Sequence, residues 1–574
     1  APKLAKAHQL AAAIAVRQGQ EPRAQRHLRR FLELQPTHVE GWFSLGNSCR
    51  RAGAIREAEV AYRQALHVDL QHGASRRALV SLLTEQGHGD AAVAIAEAGL
   101  RYARSDLKLR ALLGEALLAT EAFEPALAQF AEALKADPTF AAALQGKALA
   151  LRGLDRPEEA LALLEALETQ GLTHFSIAHN MGNVLSDLGR LEAAAQAYET
   201  AITRNPGYGS SYSNLARTRW CLGDQKGFLA AFEQAFESGR HDPSLIKAYL
   251  DALLAVGDRE TFNTARRAFP AALLEGPALQ DTWYFRFTQA GDFAAARRHH
   301  HNALAHPEAP VQWHCHAAQS DLLAGDPEAA ATRLEAALRR EPGNGFLLAY
   351  LGVAWTQLGD PRAEQLLAPN LIQERDLGVP PGFFTYEEFQ YALKAELAQE
   401  HTANQHPFEQ TLRGGTQTQG NILRLKTPAV RALRLQLERA VEHSLATLRA
   451  REDPPPHGQF TVPGPWRFSG AWSVMLKPGG FHTMHVHPMG FYSAVYYVEA
   501  PPKDPSDPHA GWLQFGPPDL PLPAAVPVRK LIEPIAGRIA LFPSYFWHGT
   551  RPFTLGTHRT TVAFDVVGRP APES

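Results

Sequence analysis

Glycine recurs on a 34-residue grid through the first two-thirds of the chain, and no other feature restricts the fold as much. Gly19, Gly53, Gly87, Gly189, Gly223, Gly257, Gly291, Gly325 and Gly359 lie on the grid, and Glu121 and Asp155 fill its two skipped positions. A period of this length denotes like supersecondary units, each too small to bury its own apolar face and stable only against its neighbours. Five residues after the grid position stands Ala24, Ala58, Ala92, Ala126, Ala160, Ala194, Ala296 or Ala330, and four residues further stand Tyr62, Phe130, Tyr198 and Phe232. A small residue admits a neighbouring helix and an aromatic fills the gap between pairs, so the pattern predicts stacked helix pairs.

Trp42, Leu45 and Gly46 open one unit, and Pro36, Pro138, Pro206 and Pro342 stop others. These positions resemble the tetratricopeptide repeat over residues 1–365, in about eleven units. The resemblance implies an all-α superhelix whose first helices line a concave, peptide-binding surface. Asn180 and Asn214 share one early helix position a single period apart, and Asn47 and Asn183 share another. By the same resemblance Asn180 and Asn214 are expected to bond the backbone of an extended peptide, since each amide offers a donor and an acceptor. The plainer alternative is a polar residue tolerated on a wet helix face. Phe228 and Phe262 replace the small residue, so irregular packing and a bend are expected between residues 225 and 290.

Beyond the last grid glycine, Gly378-Val379-Pro380-Pro381-Gly382 cannot continue a helix. The expected organisation is a repeat domain at 1–365, a linker at 366–384 and a second domain at 385–574. There the pattern changes. Tyr492-Ser493-Ala494-Val495-Tyr496-Tyr497-Val498 and Thr560-Thr561-Val562-Ala563-Phe564-Asp565-Val566-Val567 are rich in aromatic and β-branched residues, which predicts an antiparallel barrel or sandwich.

Within it lies His485-Val486-His487-Pro488, followed about sixty residues later by Trp547-His548 and then His558-Arg559-Thr560-Thr561. Imidazoles at i and i+2 on a strand project from one face and can grip one metal ion, with a third from a distant strand. This is the outline of an iron oxygenase site. His482 lies three residues before His485 and on a continuous strand faces the other way.

Gly479-Gly480-Phe481-His482, His485-Val486-His487-Pro488, Gly511-Trp512-Leu513-Gln514-Phe515-Gly516 and Leu541-Phe542-Pro543-Ser544-Tyr545-Phe546-Trp547-His548 resemble the 2-oxoglutarate/Fe(II) oxygenase family often fused to tetratricopeptide repeats. His406-Pro407-Phe408 and Leu412-Arg413-Gly414-Gly415 resemble its upstream block. The resemblance implies a double-stranded β-helix (jelly roll) that binds Fe(II) and 2-oxoglutarate, with His485, His487 and His548 as metal ligands and catalytic centre. Arg559 and Thr561 match the superfamily's pair for the distal carboxylate. Tyr497, Tyr496 and Trp472 are candidates to line the cofactor pocket, although aromatic strand residues are more often plain core. Asp565 and Glu499 are alternatives, Asp565 as an acceptor behind a ligand.

One departure stands out. The superfamily usually has a carboxylate where this chain has His487. An all-His set leaves the metal charge uncompensated by protein and strengthens its hold on an anion. It also admits a three-His dioxygenase that uses no oxo acid. A third reading is a peptide-binding scaffold with a non-catalytic barrel. The leading expectation is a hydroxylase that oxidises, with molecular oxygen, a peptide or protein presented by the repeats.

Two other clusters have ordinary readings. Arg297-Arg298-His299-His300-His301 is expected on a solvated helix face, and His314-Cys315-His316 cannot converge on a helix. The Pro-rich stretches 453–456 and 501–527 read as connections, the second either a lid over the barrel or a surface loop. A net charge of −2 in 574 residues speaks against nucleic acid as a partner. Cys49, Cys221 and Cys315 are far apart and suggest no disulfide framework. No stretch is long and apolar enough for a membrane span, and the cytoplasm is the expected location. The Ala-rich opening contains Arg17 and keeps the repeat phase, so it is expected within the first repeat rather than as a signal peptide, with the missing Met explained by trimming.

Overall fold

The computed structural model describes residues 2–274, 279–304, 310–451 and 464–568. The 453–456 stretch lies outside these residues, as does the side chain of His301. The chain forms two compact units, Ala1–Thr173 and His174–Ser574.

The first unit consists of successive helix pairs from Pro2–Arg17 to Pro157–Thr169. Grid residues sit in the turn inside each pair. Gly19, Gly53 and Gly87 have positive φ there, and Glu121 and Asp155 adopt φ of 56° and 57°, the only non-glycine residues to do so among the described residues. The grid therefore marks a left-handed turn that glycine takes without steric cost and that the acidic residues tolerate. Its alanines are fully buried. The aromatics close on a glycine of the preceding helix: a Cβ on Gly46 would lie 2.4 Å from the Tyr62 ring, and one on Gly114 would lie 2.5 Å from Phe130.

The second unit opens with the same design, Gly182 facing Tyr198, and continues in helix pairs to Gly345–Leu358. Its middle is irregular, as expected. Ala230–Glu237 has only 8 residues and Arg259–Ala268 has 10, while Phe228 and Phe262 are buried where alanine stands elsewhere. The His299-His300 segment departs from expectation. His300 is 0% exposed and His299 Nε2 lies 3.1 Å from the Gln280 carbonyl. The reason is local: His300 follows buried Ala296 by one helical turn and shares its face.

The sheet is built from β1 (Gln373–Asp376), β2 (Leu412–Gln417), β3 (Trp466–His485), β4 (Tyr492–Glu499), β5 (Leu513–Phe515), β6 (Lys530–Ile532), β7 (Arg538–Pro543), β8 (His548–Thr550) and β9 (Arg559–Gly568). The order is β1-β7-β4-β9-β3-β8-β5-β6 with β2 against β3. Every pairing is antiparallel, the arrangement of a double-stranded β-helix. The stretch read as a linker supplies strand β1, which pairs with β7. The 501–527 stretch contains β5 and is tethered where Gln357 Nε2 donates to the Ala524 carbonyl at 3.2 Å; it is partly sheet rather than one continuous loop.

Helices Tyr386–Glu400 and Pro428–Arg449 bury Leu393, Leu397, Leu437 and Val441 in one core with Tyr492 and Tyr496. The last repeat belongs to that core. Trp547 Nε1 donates to the Ala349 carbonyl (3.3 Å) and the Tyr545 hydroxyl to that of Leu366 (2.9 Å). A second tether joins residues 404–409 to the helix Gly209–Cys221, with Asn404 N donating to Cys221 O at 2.8 Å and Trp220 Nε1 to His406 O at 3.0 Å.

Candidate metal centre

Strand β3 bends at Gly479-Gly480, where Gly479 has φ 82°, so one strand pairs first with β9 and later with β8. That register sets His485 directly opposite His548, with ring centroids 4.3 Å apart. His487 follows the end of β3 and is fixed by its backbone N–H, which donates to Ser544 O at 3.0 Å. Its Nε2 lies 3.1 Å from Nε2 of His485. One ring nitrogen from each of the three histidines lies within 4.8 Å of the other two.

The hydrogen bonds behind the rings fix their tautomers. His485 Nδ1 is 2.8 Å from the Thr483 carbonyl, His548 Nδ1 is 2.9 Å from that of Phe546, and His487 Nδ1 is 2.7 Å from the Asp565 carboxylate. Carbonyls and carboxylates only accept, so each Nδ1 carries the proton and each Nε2 turns a lone pair to the centre. Burial and the neighbouring rings push His485 down to about 4 and His548 well below its ordinary value. Both rings are therefore neutral at pH 7, the form that donates to a metal. Asp565 is itself held by Ser493 Oγ, which donates at 2.6 Å, and Trp472 stacks on His487 at 5.8 Å.

His482 does not face away from this centre. The register shifts so that His482 lies opposite Thr550 and His485 opposite His548: three steps on β3 match two on β8. This bulge turns His482 to the same side, 5.7 Å ring to ring from His485 and with Nδ1 3.2 Å from Thr411 Oγ1. Its nitrogens are not among those that converge. Burial, then His485 and Arg559, push its pKa well down.

Arg559 begins β9 and is 2% exposed. Its Nε donates to Gly511 O at 3.1 Å, its guanidinium lies 5.1 Å above the Tyr497 ring, and its Nη2 and the Tyr497 hydroxyl, which act on each other, are both buried without a well-formed hydrogen bond. Thr561 is buried two residues further along β9. The other arginines nearby are engaged: Arg413 donates to the Leu412 carbonyl (2.7 Å) and Arg538 to Asp376 (2.7 Å). Tyr496 turns elsewhere, its hydroxyl 3.3 Å from that of Tyr386, and Glu499 pairs with Lys394. A buried guanidinium with an open nitrogen is costly unless an anion meets it. Three converging imidazoles and this buried cation suit iron and a dicarboxylate.

In the repeats, Asn183 accepts from the Tyr198 hydroxyl and from Asn214 Nδ2, each at 2.9 Å, and Asn47 accepts from Tyr62 at 2.8 Å. The Asn47 and Asn183 position thus anchors the repeat aromatic, and part of the Asn214 amide is engaged. Asn180 is half-buried in the same helix as Asn183. The three cysteines are free and buried. Among the described residues no helix is long and apolar enough to cross a membrane.

Residues 470–565 match the family model described as "Putative 2OG-Fe(II) oxygenase". Residues 10–70 and 315–364 match a tetratricopeptide-repeat model, and 116–216 match the N-terminal repeat region of Psidin. Comparison with curated proteins gave no match. Similar solved structures include a tetratricopeptide repeat protein from Parabacteroides merdae ATCC 43184, at 16% identity over 43% of this chain and 98% of that one, TM-score 0.39. Yeast Tom70 is 14% identical over 70% of this chain and 98% of its own, TM-score 0.37. MamA from Desulfovibrio magneticus RS-1 is 19% identical over 29% and 94%, TM-score 0.28. The chain joins tetratricopeptide repeats to a C-terminal domain of the 2OG-Fe(II) oxygenase family.

Proposed function

We propose that this chain is an Fe(II)- and 2-oxoglutarate-dependent oxygenase that hydroxylates a peptide or protein captured by its repeats. His485, His487 and His548 hold the iron, Arg559 takes the distal carboxylate of 2-oxoglutarate, and Thr561 and Tyr497 complete that end of the pocket. The observation that carries the reading is the convergence of one ring nitrogen from each of His485, His487 and His548, together with a buried Arg559 whose Nη2 makes no well-formed hydrogen bond. When bound, iron and 2-oxoglutarate supply oxygen activation coupled to decarboxylation of the oxo acid. The chain's own groups bind, orient and keep out water. The Nδ1 acceptors lock each imidazole in its donor tautomer, and the carboxylate absent from position 487 stands one ring away as Asp565, where it offsets metal charge through His487. Asp565→Asn is expected to weaken iron binding by about 10–100-fold while the fold persists; equilibrium dialysis of iron against the unsubstituted chain measures it.

The last repeats, from Cys315 onward, share one core with the sheet, which supports delivery of a captured segment to a fixed place. Asn180 and the free part of the Asn214 amide are the proposed backbone contacts. Asn180→Ala combined with Asn214→Ala is expected to weaken peptide capture by about 1–3 kcal/mol with iron and 2-oxoglutarate binding unchanged. Unaltered capture would mean that both amides merely face water and bind no peptide. The test of the whole reading is to trap a peptide from native extract on the His548→Ala chain and offer it to the active one. Succinate and a peptide heavier by one oxygen atom are expected in equal amounts. Succinate-free oxidation would favour the three-His dioxygenase, and no oxidation would favour the scaffold.

A further inference from the structure

A second convergence of ligand-type side chains lies in the repeats, far in sequence from the oxygenase motifs. Asp281, His300 and His316 come from three successive helices, Gln280–Gln289, Phe293–Leu304 and Val311–Leu323, and their donor atoms lie within 4.8 Å of one another.

Packing explains part of this. In three other repeats a glycine of the first helix receives an aromatic sixteen residues later: Gly46 with Tyr62, Gly114 with Phe130, Gly182 with Tyr198. Here the bulk is exchanged. Tyr284 stands at the glycine position and His300 at the aromatic one, with ring centroids 4.4 Å apart. Volume alone would be met by any apolar residue of that size. His300 is instead 0% exposed with both ring nitrogens unpartnered, an arrangement no packing need accounts for.

The neighbours give the unpartnered nitrogens a direction. His316 is 6% exposed, is stacked on Tyr284 at 4.7 Å, and its Nδ1 lies 3.4 Å from Asp281 Oδ1. Two donors held about 2.0 Å from a tetrahedral ion stand about 3.3 Å apart, so this pair is already at coordination spacing. Gln312 Nε2 donates to the other oxygen of Asp281 at 3.2 Å and orients the carboxylate. The nearby cations have other partners: Lys247, whose charge reaches Asp281, pairs with Asp251, and Arg333 and Arg297 both pair with Asp321.

We propose that Asp281, His300 and His316 form a second metal site, which takes a divalent ion of the Zn(II) class and ties three helices of the irregular repeat segment together. Two imidazoles and one carboxylate are a borderline-soft set, and Zn(II) outranks Fe(II) for such donors. Three protein ligands leave a fourth position for water.

The test is Zn(II) binding to the full chain, counted by elemental analysis after dialysis and followed with Co(II) as a coloured substitute. The unsubstituted chain is expected to hold two ions, one at each cluster. A chain carrying His485→Ala and His548→Ala should hold one, with the visible spectrum of tetrahedral Co(II). Adding His316→Ala to that chain should weaken this ion by at least about 100-fold, more than the loss of an outer partner. Asp281→Asn, at a partly exposed position, tests the site without touching the buried rings: in the unsubstituted background it should lower the count from two to one. A folded chain lacking His485 and His548 that binds no ion would overturn the proposal. So would an ion count unchanged by Asp281→Asn and His316→Ala together.

Discussion

His548→Ala is expected to remove iron binding and succinate formation together, with affinity lower by more than the 10–100-fold typical of losing a supporting partner. His548 is buried, faces His485 across the β3–β8 pairing, and is held by the Phe546 carbonyl so that its Nε2 faces the centre. With only three protein donors, losing one leaves two that cannot define a face of the metal. His485→Ala and His487→Ala should do the same. His482→Ala should not, because its nitrogens do not join the cluster although its ring lies on the same side. Iron content and succinate yield, measured on folded variants, separate these outcomes; loss of iron in His482→Ala with retention in His485→Ala would reverse the assignment.

Arg559→Leu carries the second large effect. Removing a charge-assisted contact from a buried site should weaken 2-oxoglutarate by about 2–4 kcal/mol and leave iron in place. The guanidinium is buried, holds one bond to Gly511 and keeps Nη2 open. Leucine leaves the dicarboxylate's far end facing an apolar wall. Calorimetric titration of the iron-loaded variant reads the shift. An unchanged affinity would move the anchor away from Arg559, although Arg413 and Arg538 are already engaged by other groups.

Much of this was legible in residue spacing. The 34-residue grid located the left-handed turns because only a few residue types take positive φ, and the two acidic exceptions occupied the same turn. The i, i+2 histidines and the later His548 pointed to one centre because a strand has a fixed period of two. His482 shows where that rule ends. A bulge changes the phase of a strand by one residue, and nothing in Phe481-His482-Thr483-Met484 announces it. Strand β1, within the expected linker, is equally silent in the sequence, since its four residues gain their structure from β7 rather than from their own propensity.

The second cluster was obscured for a different reason. Within one helix His314 and His316 diverge, as i and i+2 must, whereas the partners of His316 stand on two preceding helices. A signal was nonetheless present. Position 300 falls on the grid's buried aromatic position, four residues after Ala296, so a histidine there had to be core and not a solvated face.

On the proposed reading, His485, His487, His548 and Arg559 make one Fe(II)/2-oxoglutarate pocket. This is tested most directly by anaerobic titration of the Fe(II)-loaded full chain with 2-oxoglutarate while the metal-to-ligand charge-transfer absorption is followed. A band that saturates at one equivalent, and that requires far more 2-oxoglutarate in Arg559→Leu, is the predicted result. Absence of the band with iron demonstrably bound would contradict the account.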